Sequence, residues 1–189
     1  MADTGLIVCG TGANGDSGDS NWSNPTYIQV DDSSNASVSL GKDEVSAYLR
    51  ATNFNFGSIS GYYLLGIQVE INVVSVGSDF NMEDILLRTS AGRTGNDKGS
   101  SSPSTGIRTF GGSTDLWGTA YTMSNIVNST FGIDYRCGRA GASGSSGSVS
   151  IDYVKIRIYY RYKHKVNSVT SVGKVDTVLV GNIKTINGR

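Results

Sequence analysis

The sequence predicts an all-β protein, an antiparallel β-sandwich of jelly-roll-like form with an extended C-terminal arm. Three observations carry that prediction. The 189 residues include 25 glycines and 10 tyrosines but only 2 prolines, a composition rich in turns and poor in helix-forming stretches. The segment Leu65–Val76 alternates, with Leu65, Ile67, Val69, Ile71 and Val73 facing one way and Gln68, Glu70 and Asn72 the other. Such a strand belongs to a sheet with one dry and one wet face. In the C-terminal segment Val166, Val169, Val172, Val175 and Val178 recur every third residue, and Ile183 and Ile186 repeat the spacing after a shift. That period matches neither strand nor helix, but suits an extended, polyproline-II-like chain with one apolar edge. The expected division is a sandwich domain over residues 1–162 and an arm over 163–189 that docks on a neighbouring subunit or partner. A body of about 150 residues buries roughly 70% of its unfolded surface, enough for a core without covalent staples.

Taken in order, Leu6-Ile7-Val8-Cys9 reads as a short strand. Gly10-Thr11-Gly12-Ala13-Asn14-Gly15 matches G-x-G-x-x-G. A dinucleotide site needs a helix directly after those glycines. The residues that follow, up to Pro25, have no helical pattern, so the stretch reads as a surface loop. Tyr27–Val30 reads as a short strand and Asp31–Asn35 as a turn. Val45, Ala47, Leu49 and Ala51 alternate with other residues up to Phe54-Asn55-Phe56-Gly57, a core edge. Asp79–Asp84 reads as an acidic turn before a strand at Ile85–Arg88; it lacks the glycine and terminal glutamate of a calcium loop. Ser90–Ser104 reads as a long mobile loop. Ser124 is a candidate N-cap for a short turn of helix. Phe131, Ile133, Tyr135 and Cys137 alternate as a strand, and Gly138–Gly147 reads as a glycine/serine loop.

The last strand, Val149–Tyr162, changes parity. Val149, Ile151 and Tyr153 share one face, whereas Val154, Ile156, Ile158, Tyr160 and Tyr162 share the opposite one. A one-residue slip reverses every side chain, so a β-bulge or strand break is predicted near Asp152–Val154.

Net charge is zero but polarised: from Lys155 onward eight basic residues face one acid, a net +7. A basic arm of this kind suits an acidic docking surface. Nucleic acid is not expected, because the basic stretch is diffuse and its aromatics stop at Tyr162. No apolar run is long enough for a transmembrane helix, and Met1-Ala2-Asp3 does not open like a secretory signal. The expectation is synthesis in a cytoplasm, with no membrane partner.

No catalytic motif is present, neither G-x-S-x-G, H-E-x-x-H, P-loop nor paired-cysteine metal pattern. The one histidine, His164, has no acid near it in sequence. No catalytic residue, metal site or cofactor is therefore expected. Cys9 and Cys137 are far apart and form no motif; they read as buried free thiols, with a bridge between them as the alternative. Trp22 and Trp117 are the candidate ligand aromatics, able to stack on sugar rings if exposed, with core packing as the competing role. Tyr159 or Tyr160 could line a groove.

Several landmarks in order, Trp22-Ser23-Asn24-Pro25, Phe54-Asn55-Phe56-Gly57, Ile67–Ile71, Asp115-Leu116-Trp117-Gly118, Phe131-Gly132-Ile133 and Ile151-Asp152-Tyr153-Val154, resemble virion-associated structural proteins of tailed bacteriophages. The ending Asn182–Gly188 is similar to short Ile/Val–Asn–Gly tails on such proteins. The resemblance implies a β-sandwich displayed on a virion, with copies of itself and other virion proteins as partners. The expected function is thus a non-enzymatic virion part of decoration or fibre type, attached at capsid, neck or tail through its arm. The alternative is a carbohydrate-binding host-recognition module.

Overall fold

The computed structural model describes residues 1–16, 18–77, 79–141 and 146–163. The arm residues Val166, Val169, Val172, Val175, Val178, Ile183 and Ile186, and His164, lie outside the described residues. The strands are β1 (Ala2–Asp3), β2 (Ile7–Val8), β3 (Thr11–Asn14), β4 (Ala36–Leu40), β5 (Leu49–Thr52), β6 (Tyr62–Val76), β7 (Phe80–Thr89), β8 (Gly92–Thr94), β9 (Gly106–Gly111), β10 (Gly132–Arg139) and β11 (Gly147–Tyr162). A short 3-10 helix covers Pro25–Gln29 and one helical turn, α1, covers Met123–Ile126.

Strands β4 to β11 make a jelly roll. One sheet has the order β4-β11-β6-β9 and the other β5-β10-β7-β8. The antiparallel pairs β4·β11, β5·β10, β6·β9 and β7·β8 join the two halves of the chain like a strip folded on itself. The pairs β11·β6 and β10·β7 then close the rolled strip into two sheets, which is the jelly-roll winding. Strand β3 extends the second sheet beyond β5. Strands β2 and β1 continue the edge of β11 where β4 ends.

The inner faces of both sheets share one core. Ile67, Val69, Ile71 and Val73 of β6 face Ile85 and Leu87 of β7 and Ile133 and Tyr135 of β10 across it, all at most 1% exposed. The alternation within β6 is therefore as expected, except at its start. Tyr159 pairs with Gly66 but Tyr160 with Leu64. Leu65 is thus an extra residue in the ladder, and Leu64 packs against the core instead.

The predicted slip in β11 is present. Ile151 pairs with Val73 and Val154 with Ile71, so Asp152 and Tyr153 together oppose Asn72. Val149, Ile151, Val154, Ile156 and Ile158 all reach the core as a result. Tyr153 does not share the face of Val149 and Ile151 as expected. The bulge turns it outward, where its hydroxyl donates to Glu70 Oε1 at 3.1 Å and Lys155 Nζ lies 3.8 Å from its ring centre.

Other elements differ from the sequence reading for local reasons. Tyr27–Val30 is not a strand: Asn24 adopts a left-handed conformation (φ 51°) and Pro25 opens the 3-10 helix, where its fixed φ and missing N–H cost nothing. The G-x-G-x-x-G stretch is not a loop but strand β3 with its flanks, and its glycines serve close backbone approach. A Cβ on Gly12 would lie 2.1 Å from the Pro25 carbonyl oxygen, and one on Gly10 2.7 Å from that of Asn53. The acidic stretch after Asp79 is not a turn, since β7 already begins at Phe80.

The region Ser90–Ser104 is tied down rather than free. It contains β8, and Asp97 Oδ1 accepts from the backbone N–H groups of Ile85 and Gly99, both at 2.8 Å. Strand β9 follows it at the sheet edge and had no counterpart in the sequence reading. Thr122, not Ser124, caps α1: Asn125 N donates to Thr122 Oγ1 and Thr122 N to Asn125 Oδ1. Cys9 and Cys137 are buried and unbridged, as expected.

The close approach at Gly12 gives a test. Gly12→Ala should lower stability by about 1–3 kcal/mol through overpacking, read as a lower urea midpoint. Gly61→Ala, where an added Cβ meets nothing within 4 Å, should stay within about 0.5 kcal/mol of the parent.

Candidate functional site

Neither candidate ligand tryptophan is available to a ligand. Trp22 is 2% exposed and Trp117 0%. Trp22 Nε1 donates to Ala47 O at 2.8 Å, and its ring meets Tyr135 edge-on at 5.8 Å. The Asn14 side chain holds its backbone on both sides, donating to Trp22 O and accepting from Trp22 N. Trp117 Nε1 donates to Ile67 O at 3.0 Å. Its backbone is left-handed (φ 55°), a conformation that costs a bulky residue free energy. Asp115 Oδ1 accepts from Trp117 N, and Lys98 Nζ donates to Asp115 Oδ2 at 2.8 Å. Both rings fill the sandwich because a large aromatic with a satisfied N–H gains more from burial than from display.

The ionisable groups are mostly committed to one another. On the outer face of the second sheet Asp134 is fully buried. It accepts from Arg50 Nε at 3.0 Å, Arg88 Nη1 at 3.0 Å and Arg93 Nη1 at 3.4 Å. Asp16 bridges Arg93 and Arg50 from the solvent side. Arg136 pairs with Asp84, and the guanidinium groups of Arg93 and Arg136 flank the Tyr48 ring at 4.1 and 4.6 Å from its centre. Between the sheets, Glu83 on the inner face of β7 is 3% exposed and pairs with Arg108 of β9.

The thiols are not activated. Burial pushes both Cys9 and Cys137 up to about 12, so each is a protonated thiol at neutral pH and a poor nucleophile. Burial, and then the neighbouring Cys137 and Glu83, holds the Tyr135 hydroxyl well above the usual tyrosine range.

The exposed aromatic chemistry is at the far end of β6 and β11. Tyr62 pairs with Tyr162 and Tyr63 with Arg161. Tyr62 meets Tyr160 and Tyr162 edge-on at 4.8 and 5.4 Å between ring centres. Arg161 and Lys163 place their charges 5.4 and 5.1 Å from the centre of the Tyr63 ring. Met1, Tyr62, Tyr63, Arg161 and Tyr162 line an open cleft of about 510 Å³. Met1 is 76%, Tyr63 51% and Tyr162 59% exposed. Rigid tyrosines beside cations offer large contact areas at low entropic cost.

Neither Tyr159 nor Tyr160 lines this cleft: Tyr160 packs against the core beneath Tyr62, and Tyr159 turns to the outer face and donates to Gln68 at 2.6 Å. Tyr62 and Tyr63 carry no signal in the sequence that marks them as site residues. Their density was visible, but their meeting with Tyr162 depends on the register of two strands far apart in the chain.

Comparison of the chain with protein-family models, curated proteins and solved structures returned no match. Among the described residues no helix is long and apolar enough to cross a membrane.

Two measurements test the electrostatics. Asp134→Ala leaves three arginines facing a buried gap and should cost about 3–5 kcal/mol, read by urea unfolding. The second concerns acid. Asp16, hydrogen-bonded to Arg93, and Asp115, hydrogen-bonded to Lys98, are both held below the usual carboxylate value of 3.8. A carboxylate with a depressed folded pKa stabilises the fold above its unfolded value and loses that contribution as pH falls through the folded one. The urea midpoint should therefore drop below about pH 4, and Lys98→Met should flatten that drop.

Proposed function

We propose that the protein is a non-enzymatic structural component of a tailed-phage virion, of decoration or fibre type, attached at capsid, neck or tail through residues 163–189. The observation that carries this reading is the tyrosine-rich, basic cleft at the point where the chain passes into the valine-periodic segment. Lys163, the first arm residue, sits with its charge over Tyr63. An apolar, β-branched segment that starts beside an exposed aromatic surface suits docking on copies of itself and on other virion proteins. The jelly-roll winding supports it by analogy, since viral capsid and lectin domains share that architecture. The ordered likeness to virion-associated proteins points the same way.

Removal of residues 164–189 should leave a folded jelly roll with an unchanged urea midpoint that no longer co-sediments with assembled particles. The substitution pair Tyr63→Ala and Tyr162→Ala in the full chain should weaken the same association. A truncated body that still enters particles would overturn the anchoring role.

A further inference from the structure

The ladder between β6 and β11 is interrupted twice in close succession. Ser150 pairs with Ser75 but Ile151 with Val73, so Val74 is an extra residue on β6. Asp152 and Tyr153 then oppose Asn72 alone, and the two insertions cancel by the Val154–Ile71 pair. Bulges re-aim side chains and open a ladder. Here they border a cleft of about 470 Å³ in the first sheet. Ser33 and Asn35 line it from the turn before β4, Asp152 from β11, Asn72 and Val74 from β6, and Thr105 from the approach to β9. The cleft thus crosses the whole β4-β11-β6-β9 sheet at one height.

Two of its lining side chains carry oxygens with nothing to bind. Asp152 is 5% exposed. Its Oδ2 accepts from Asn72 Nδ2 at 3.1 Å, whereas its Oδ1 is buried with no hydrogen-bond partner among the described residues. Asn35 Nδ2 donates to Ser33 O at 3.1 Å, and its Oδ1 is also buried without a partner. Buried acceptors left unsatisfied are uncommon in folded proteins and call for an explanation.

The chemistry of the lining selects among ligands. Both orphan atoms are acceptors, so the ligand must bring donors or positive charge. Among the described residues no cationic side chain lines the cleft, which disfavours an anion. A hard divalent cation takes about six to eight oxygens, several of them charged. This cleft has one carboxylate, and no group of three or more His, Cys, Asp or Glu side chains converges among the described residues. Two apolar side chains adjoin it: Val74 is 48% exposed, and Ile107, the partner of Asn72 on β9, is 64% exposed. A sugar ring matches that combination, with hydroxyl donors on its rim and a C–H face for the aliphatic shelf.

We propose that the cleft at Asp152 binds one ring of a neutral saccharide. Adjacent hydroxyls donate to Asp152 and Asn35, and the ring's apolar face lies on Val74 and Ile107. This site is separate from the tyrosine cleft and does not depend on the anchoring role of residues 163–189.

The test is an amide-detected NMR titration of the full chain with methyl α-glucoside, methyl α-galactoside and methyl α-mannoside, and separately with calcium chloride. At least one glycoside should shift the side-chain amides of Asn35 and Asn72 and the backbone amide of Gly106 in a saturable way. Asp152→Asn, which keeps the shape and removes the charge, should weaken that binding by about tenfold or more. Asn35→Ala lies in a turn outside the ladder, and should do the same even if the Asp152 variant fails to fold. The proposal is overturned by silence with all three glycosides, by shifts at these residues with calcium alone, or by glycoside shifts confined to Tyr62 and Tyr63. Loss of particle association on removal of residues 164–189 is read independently, so either proposal can fail without the other.

Discussion

The register of β11 against β6 is the constraint on which the rest of the sandwich depends. β11 is paired along one edge by β6 and along the other by β4, β2 and β1 in series. It therefore joins the first strand of the folded strip to the third, and without it the first sheet falls into separate pieces. Its inner face must be apolar along its whole length, yet a one-residue shift would turn Ile156 and Ile158 to solvent. The bulge at Asp152–Tyr153 and the extra Val74 on β6 resolve this. Between them they let the chain change parity and return to register. Each buried isoleucine or valine held this way contributes about 1.5–3 kcal/mol relative to exposure.

Charge is the second constraint, and it acts on the other sheet. Asp134 sits at the middle of β10 with arginines from β5, β7 and beside it β8 converging on its carboxylate. Removing such a group from water is costly, and the attraction of partners in a medium of low polarity offsets it only when the geometry is good. Three donors on one carboxylate meet that requirement and pin four strands in one lateral order. Glu83 and Arg108 make a comparable link across the two sheets, from β7 to β9. An apolar pair could supply similar stability there, but would not demand this particular partner.

How much of this was legible in the sequence follows from how local each cause is. The parity change at Asp152–Val154 could be read because apolar spacing reports directly on which face is buried. The alternations in β6 and β10 could be read for the same reason. The 3-10 helix after Asn24 could not, because it depends on one residue in a left-handed conformation. The glycines at 10 and 12 mimicked a phosphate loop because close approach to backbone and close approach to phosphate select the same residue. Trp22 and Trp117 were ambiguous until their N–H groups could be traced to the carbonyls of Ala47 and Ile67. The clefts were hidden most deeply. Asp152 looks like any polar residue in an alternating strand, and only the cross-strand register places Asn72 beside it and Asn35 near it.

The same register also sets where the two clefts stand relative to each other. The tyrosine cleft closes one end of the β6·β11 pair, at Tyr62 and Tyr162. The Asp152 cleft lies toward its other end, roughly 30 Å away along a strand that rises about 3.3 Å per residue. β11 between them is hydrogen-bonded on both edges, so the separation is rigid. A jelly roll held at Lys163 would keep the Asp152 cleft at that distance from whatever holds it. Attachment and recognition would then use separate stretches of one strand, and neither would have to deform the core to act.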